Sequence, residues 1–241
     1  MTDLKLDVLV VAAHPDDAEI SVGGTLLRLI DAGAKVGVVD ATHGEMGSRG
    51  SGATRDAELA AATAAMGLHV RENLDLPDGR VQVTVESRER LAGLFRRYRP
   101  DAVVSHHVED LHPDHQATGR LTREAWFLSG LKRLAQDANQ TAHRPRAIYH
   151  YLSHTLSAPT FVVDVGEVWE RKLAAVRCYS SQLAPEDGGD DGSHFLFGAD
   201  IEERMTTKAR FWGESISARL GEPFLHQGPM PVDDPLRRWL V

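Results

Sequence analysis

Residues 6–13, LDVLVVAA, form an unbroken apolar, β-branched run that stops at HPDDAEI. A run apolar on both alternating faces reads as a strand buried on both sides, which requires helices above and below the sheet. KVGVVDAT (35–42) and DAVVSHH (101–107) repeat the signal, HVRENLDLPDG (69–79) holds a shorter strand, and TFVVDV (160–165) reads as a late one. Helical patterns lie between them. These are 23–33, closed by Gly33; 54–67, with Thr54 as N-cap and Gly67 as stop; 86–100, ended by Pro100; and 114–129. The alternation predicts an α/β fold with a doubly wound, mostly parallel sheet and helices on both faces. The pattern loosens after 142–153, and 167–182 and 200–216 read as further helices. APEDGGDDGSH (184–194) is acidic and glycine-rich, and a mobile loop is expected there.

A length of 241 residues with 42% apolar and 26% charged residues suits one globular domain, 1–241. The 35 acidic residues outnumber 27 basic ones, a net charge of −8, which gives no footprint for nucleic acid or an anionic membrane. The first apolar run is too short and wrongly flanked for a signal peptide, and no stretch approaches a membrane span. Cys178, the single cysteine, fits a reducing compartment and a cytoplasmic location, and is read as a buried thiol.

Chemistry concentrates at two strand ends. His14, Asp16 and Asp17 follow the first strand, and HPDH, residues 112–115, follows DAVVSHH after a short loop. Parallel strands place both clusters at the same edge of the sheet, where open α/β sheets bind ligands. Two histidines and one carboxylate make an open zinc set, and a second carboxylate beside it can take a proton from water. Iron(II) suits the same ligands. The plainer account is that the aspartates cap helices at a favourable dipole. It weakens when both motifs stand at strand ends of one chain.

AHPDDAEI together with HPDH resembles the LmbE-like (PIG-L) family of metal-dependent N-acetylglucosamine deacetylases. THGEMGSRGSGATRDAELAAA, RENLDLPDG, HPDHQATGRLTREAWFLSGL and PTFVVDVGEVWERKLAAVRCYSSQ resemble its bacillithiol-pathway branch, the N-acetylglucosaminyl-malate deacetylases. The resemblance implies a Rossmann-like fold and a homo-oligomer, commonly a hexamer. It implies zinc ligands His14, Asp17 and His115, and Asp16 as general base. His112 would stabilise the oxyanion and protonate the leaving amine, Asp114 would orient a histidine, and Arg55 would bind a small sugar substrate, with N-acetylglucosaminyl L-malate the expected one. Two departures stand out. Leu111 occupies a position often arginine in that branch, and no tyrosine follows Tyr179.

Other residues carry weaker readings. Arg49, in the 44–53 glycine-rich loop, is a second candidate for substrate contact. His43, His106 and His107 are read as pocket or structural residues equally. Tyr179, Ser180 and Ser181 are read as a helix terminus or a second wall. Trp169 and Trp212 are expected in the core, and His69, His143 and His226 on the surface.

Overall fold

The computed structural model describes residues 4–47, 52–134, 140–183 and 201–230. Within them the chain forms strands β1 (Val8–Ala12), β2 (Val36–Asp40), β3 (Val70–Asn73), β4 (Ala102–His106), β5 (Ala147–Tyr151), β6 (Phe161–Asp164) and β7 (Gly221–His226). Helices are α1 (Asp17–Asp31), α2 (Gly52–Met66), α3 (Val85–Tyr98), α4 (Pro113–Ser129), α5 (Trp169–Val176), α6 (Ser180–Leu183) and α7 (Ile201–Glu214). One sheet runs β3-β2-β1-β4-β5-β7-β6. The first five strands are parallel, and β7 is antiparallel to both β5 and β6. This is the mostly parallel, doubly wound α/β sheet expected. Among the described residues no helix is long and apolar enough to cross a membrane.

The apolar run of β1 sorts its side chains by alternation. Val8, Val10 and Ala12 enter a core shared with Leu26, Leu27, Trp169 and Leu173. Leu9 and Val11 enter the opposite core with Leu91, Phe95 and Leu121. Both faces are therefore covered, as a buried parallel strand requires. Trp169 and Trp212 are buried.

Several features differ from expectation. Helix α1 begins at Asp17, six residues before the predicted start, so Asp17 lies in its first turn. Gly24 serves close packing: a Cβ there would stand 2.7 Å from Val165 Cβ. Helix α2 begins at Gly52, which puts Thr54 inside the helix rather than at its cap. Strands β5 and β7 were not predicted. AIYHY lacks an aliphatic run, and GEPFLH carries a glycine and a proline that signal a turn. Cys178 is partly exposed rather than buried. The 184–194 segment lies outside the described residues.

Candidate active site

The order of strands reverses between β1 and β4, and the chemistry-bearing residues gather at that switch point, outside the carboxyl ends. From β1 come His14, Asp16 and Asp17. From the β4–α4 connection come Asp110 and His112, and from the first turn of α4 Asp114 and His115. Gly119 lets α4 lie against the end of β4: a Cβ there would stand 2.7 Å from the His106 carbonyl oxygen. The His115 ring thereby stacks on that of His106, with centroids 3.9 Å apart.

His14, Asp17 and His115 converge. His14 Nδ1 lies 3.2 Å from Asp17 Oδ2, and His115 Nε2 lies 3.3 Å from Asp17 Oδ1. The ligand atoms of all three fall within 4.8 Å of one another. Two donors on one tetrahedral zinc, each ~2.1 Å away, are about 3.4 Å apart, so the spacing fits a single ion. The donor chemistry fits as well, because five aspartates, Asp16, Asp17, Asp78, Asp110 and Asp114, crowd the imidazoles. Two further trios meet the same distance test: His14, His112 and Asp114, and Asp110, His115 and His154. Their carboxylates each accept from two backbone N–H groups, against one, His14 N at 2.8 Å, for Asp17. Asp114 accepts from Gly79 N at 2.7 Å and Val81 N at 3.1 Å. Asp110 accepts from His112 N at 3.0 Å and His154 N at 3.2 Å.

The carboxylates neighbouring these rings set their orientation. Asp110 Oδ1 meets His115 Nδ1 at 3.1 Å, leaving Nε2 toward Asp17. Asp78 Oδ1 and Asp114 Oδ2 flank His14 Nε2 at 3.2 and 3.3 Å. His112 Nδ1 accepts from Asp114 N at 3.2 Å, which assigns the proton of the neutral ring to Nε2. Burial and the charge of His115 lower the His112 pKa, keeping that ring neutral.

Asp16 differs from its neighbour. It precedes α1 with φ 102°, a left-handed conformation, and its side chain caps nothing. The helix-cap account of the aspartate pair therefore does not describe it. Burial, and next the charge of Asp17, raise the Asp16 pKa well above the usual carboxylate range. Asp17 goes the other way. Burial opposes its ionisation, but the charge of His115 holds its carboxyl well below that range. Two adjacent aspartates are thus pushed apart in acidity, the pattern that separates a proton acceptor from a permanent anion.

Arg55 packs its guanidinium on the Gly44–Gly47 turn, and Nη1 is buried without a hydrogen-bond partner. Arg49 lies outside the described residues. His106 belongs to the cluster: its Nε2 accepts from Ala13 N at 3.0 Å and its Nδ1 meets Ser153 Oγ at 3.1 Å. His107 pairs with the Glu109 backbone, and His43 with Asp75 at 2.8 Å, both on exposed turns. The Tyr179 hydroxyl donates to Glu19, and Ser180 and Ser181 bond Glu58, so these three hold helices together. Sequence reasoning missed Asp78, Asp110, Ser153 and His154. Asp78 sits in a Pro-Asp-Gly stretch that reads only as a turn. Ser153 and His154 follow β5, itself unpredicted.

Fold and cluster define a Rossmann-like α/β protein with a histidine–aspartate centre at the sheet's switch point. The chain belongs to the LmbE-like (PIG-L) family, whose model, described as GlcNAc-PI de-N-acetylase, matches residues 9–126. It is 32% identical over 194 residues to the diacetylchitobiose deacetylase of Thermococcus kodakarensis, spanning 75% of this chain and 71% of that protein. It is 27% identical over 191 residues to a probable N-acetyl-α-D-glucosaminyl L-malate deacetylase 2 of Bacillus anthracis, spanning 73% and 81%. A 4-oxalmesaconate hydratase of Pseudomonas putida is 27% identical over 199 residues, spanning 76% of each chain. The crystal structure of the conserved protein TT1542 from Thermus thermophilus superposes with a TM-score of 0.82 at 36% identity, covering 94% of this chain and 96% of that one.

Proposed function

We propose that the protein is a metal-dependent hydrolase that removes the N-acetyl group from an N-acetylglucosamine conjugate. The observation that carries this reading is the division between Asp17, turned to His14 and His115, and Asp16, free beside them. His14, Asp17 and His115 hold zinc or iron(II). An ion bound there polarises a carbonyl oxygen and acidifies water. Asp16 takes the proton of the attacking water at its carboxylate, its raised pKa bringing it closer to the working pH. The Nε2–H of neutral His112 donates a hydrogen bond to the negative charge that develops on the acetyl carbonyl oxygen as water adds to the carbon. A neutral imidazole is a poor acid, so the proton reaching the departing amine is the one Asp16 took up. Asp114 holds His14 and His112 in place.

Arg55 binds the substrate, which its unpartnered Nη1 supports. N-acetylglucosaminyl malate is one conjugate that the sequence resemblance supports; binding it would need Arg55 to receive its carboxylates in place of the missing arginine at position 111. The test is release of free amine and acetate from N-acetylglucosamine conjugates, abolished by chelation and restored by zinc or iron(II). Hydration of an unsaturated dicarboxylate with no deacetylation would overturn the reading in favour of the hydratase chemistry named for one relative.

A further inference from the structure

A cavity of about 660 Å³ opens beside the histidine cluster, within the size range of small-molecule sites. Two residues belong to both. Ser153 meets His106, His154 stacks on His115 with centroids 5.0 Å apart, and both line the cavity. Leu111, next to His112 in the chain, stands in the same wall and is 54% exposed. Farther out the wall is apolar, with Leu152, Leu156, Met205, Phe211 and Trp212. Leu156 and Phe211 are 67% and 60% exposed, so their apolar area is offered to an occupant rather than packed away.

The charged side chains of this wall are already engaged. Lys172 Nζ donates to Glu222 Oε1 at 2.6 Å. Lys208 Nζ donates to the carbonyls of Leu152 and Ser153. Glu203 and Arg204 are engaged as well. Arg55 does not line the cavity. Among the described residues, then, the wall offers a carboxylate no unengaged guanidinium fork, and Lys208, whose partners are carbonyls rather than a carboxylate, has two of its three N–H groups already taken.

We infer that the substrate's non-sugar part is an uncharged apolar group, aryl or alkyl, that lies in this cavity while the acetamide meets the cluster. The inference rests on the deacetylase reading and narrows its substrate class away from dicarboxylates. Leu111 then has a role: where an arginine would suit carboxylates, it extends the apolar wall toward His112.

The experiment compares kcat/KM of the full chain, zinc-loaded, for benzyl N-acetylglucosaminide, N-acetylglucosaminyl malate and free N-acetylglucosamine. The benzyl conjugate is expected to exceed the malate conjugate by about tenfold or more, a typical reward for filling an apolar pocket. Leu156→Asp and Phe211→Asp should narrow that ratio without changing the sedimentation coefficient. Malate equal to or better than benzyl overturns the inference and leaves deacetylation standing. So does a change of oligomeric state in the variants, which would make this face an interface between copies. If no conjugate is deacetylated, the activity reading fails on its own. Calorimetric binding of benzyl glucosaminide, and its loss in Leu156→Asp, then still decides the cavity: binding supports it and no binding refutes it.

Discussion

His115 Nδ1 stands 3.1 Å from Asp110 Oδ1, and this contact leaves Nε2 as the nitrogen that faces Asp17. The same carboxylate accepts from the backbones of His112 and His154, so one aspartate outside the HPDH motif organises three histidines. Burial opposes its ionisation, but His115 and the His112 N–H hold its carboxyl well below the usual range.

Asp110→Asn keeps the shape but weakens the acceptor that orients His115. Loss of such an outer partner typically lowers metal affinity by about 10- to 100-fold. Competition against a fluorescent zinc chelator measures it. Affinity equal to the parent would show that Asp110 is only a loop fastener.

The purified protein should carry about one divalent ion per chain, as expected for a single open site. Elemental analysis should show it lost in His14→Ala, Asp17→Asn and His115→Ala. Full activity in a sample verified as metal-free would sink the assignment.

Asp16→Asn should retain metal and lose on the order of 100-fold or more in kcat, the usual contribution of a positioned general base. Asp17→Asn should instead lose metal. Equal metal content in the two variants would refute the split between the neighbours.

Much of this was legible in the chain. The β1 run, followed at once by His14, Asp16 and Asp17, announced a strand end with ligands, and HPDH placed its partner. The structure brings all six residues of the two motifs to one point. What stayed hidden depended on strands without a hydrophobic signature. β5 reads Ala-Ile-Tyr-His-Tyr, and it delivers Ser153 and His154. Asp78 and Asp110 lie in loops, where only the tertiary fold says which ring a carboxylate will meet. The early start of α1 stayed hidden because Asp17 reads as a ligand rather than as the first helical residue, while the cost of a helical glycine at Gly24 is outweighed by close packing on Val165.

His150 supplies a pH signature away from the proposed ligands. Burial lowers its pKa to about 4, against the opposing hydrogen bond to the His106 carbonyl. Folded His150 stays neutral while the unfolded chain takes up a proton near 6.5. Stability is therefore full above pH 6.5 and falls as pH drops toward 4, by at most roughly 3 kcal/mol for this group. Urea melts of the parent and of His150→Gln should differ in slope across that window. Parallel curves would count against a neutral buried ring.

Gly119→Ala pits two effects against each other. Alanine favours a helix by about 1 kcal/mol over glycine. The added Cβ would meet the His106 carbonyl oxygen at 2.7 Å, and overpacking of that kind costs about 1–3 kcal/mol. The backbone atom cannot swing aside, so net destabilisation is expected in urea denaturation, with a larger loss of activity than of stability. A stabilised, fully active variant would show that α4 has room to move.

The cavity wall is drawn mostly from the chain beyond α4, between Leu152 and Pro223, whereas the residues that would do the chemistry all precede Gln116. The reaction centre and most of the cavity wall thus lie in successive stretches of one polypeptide, with Leu111 the wall residue nearest the centre in the chain. A substitution in the later stretch can therefore change the wall without touching the histidines and aspartates.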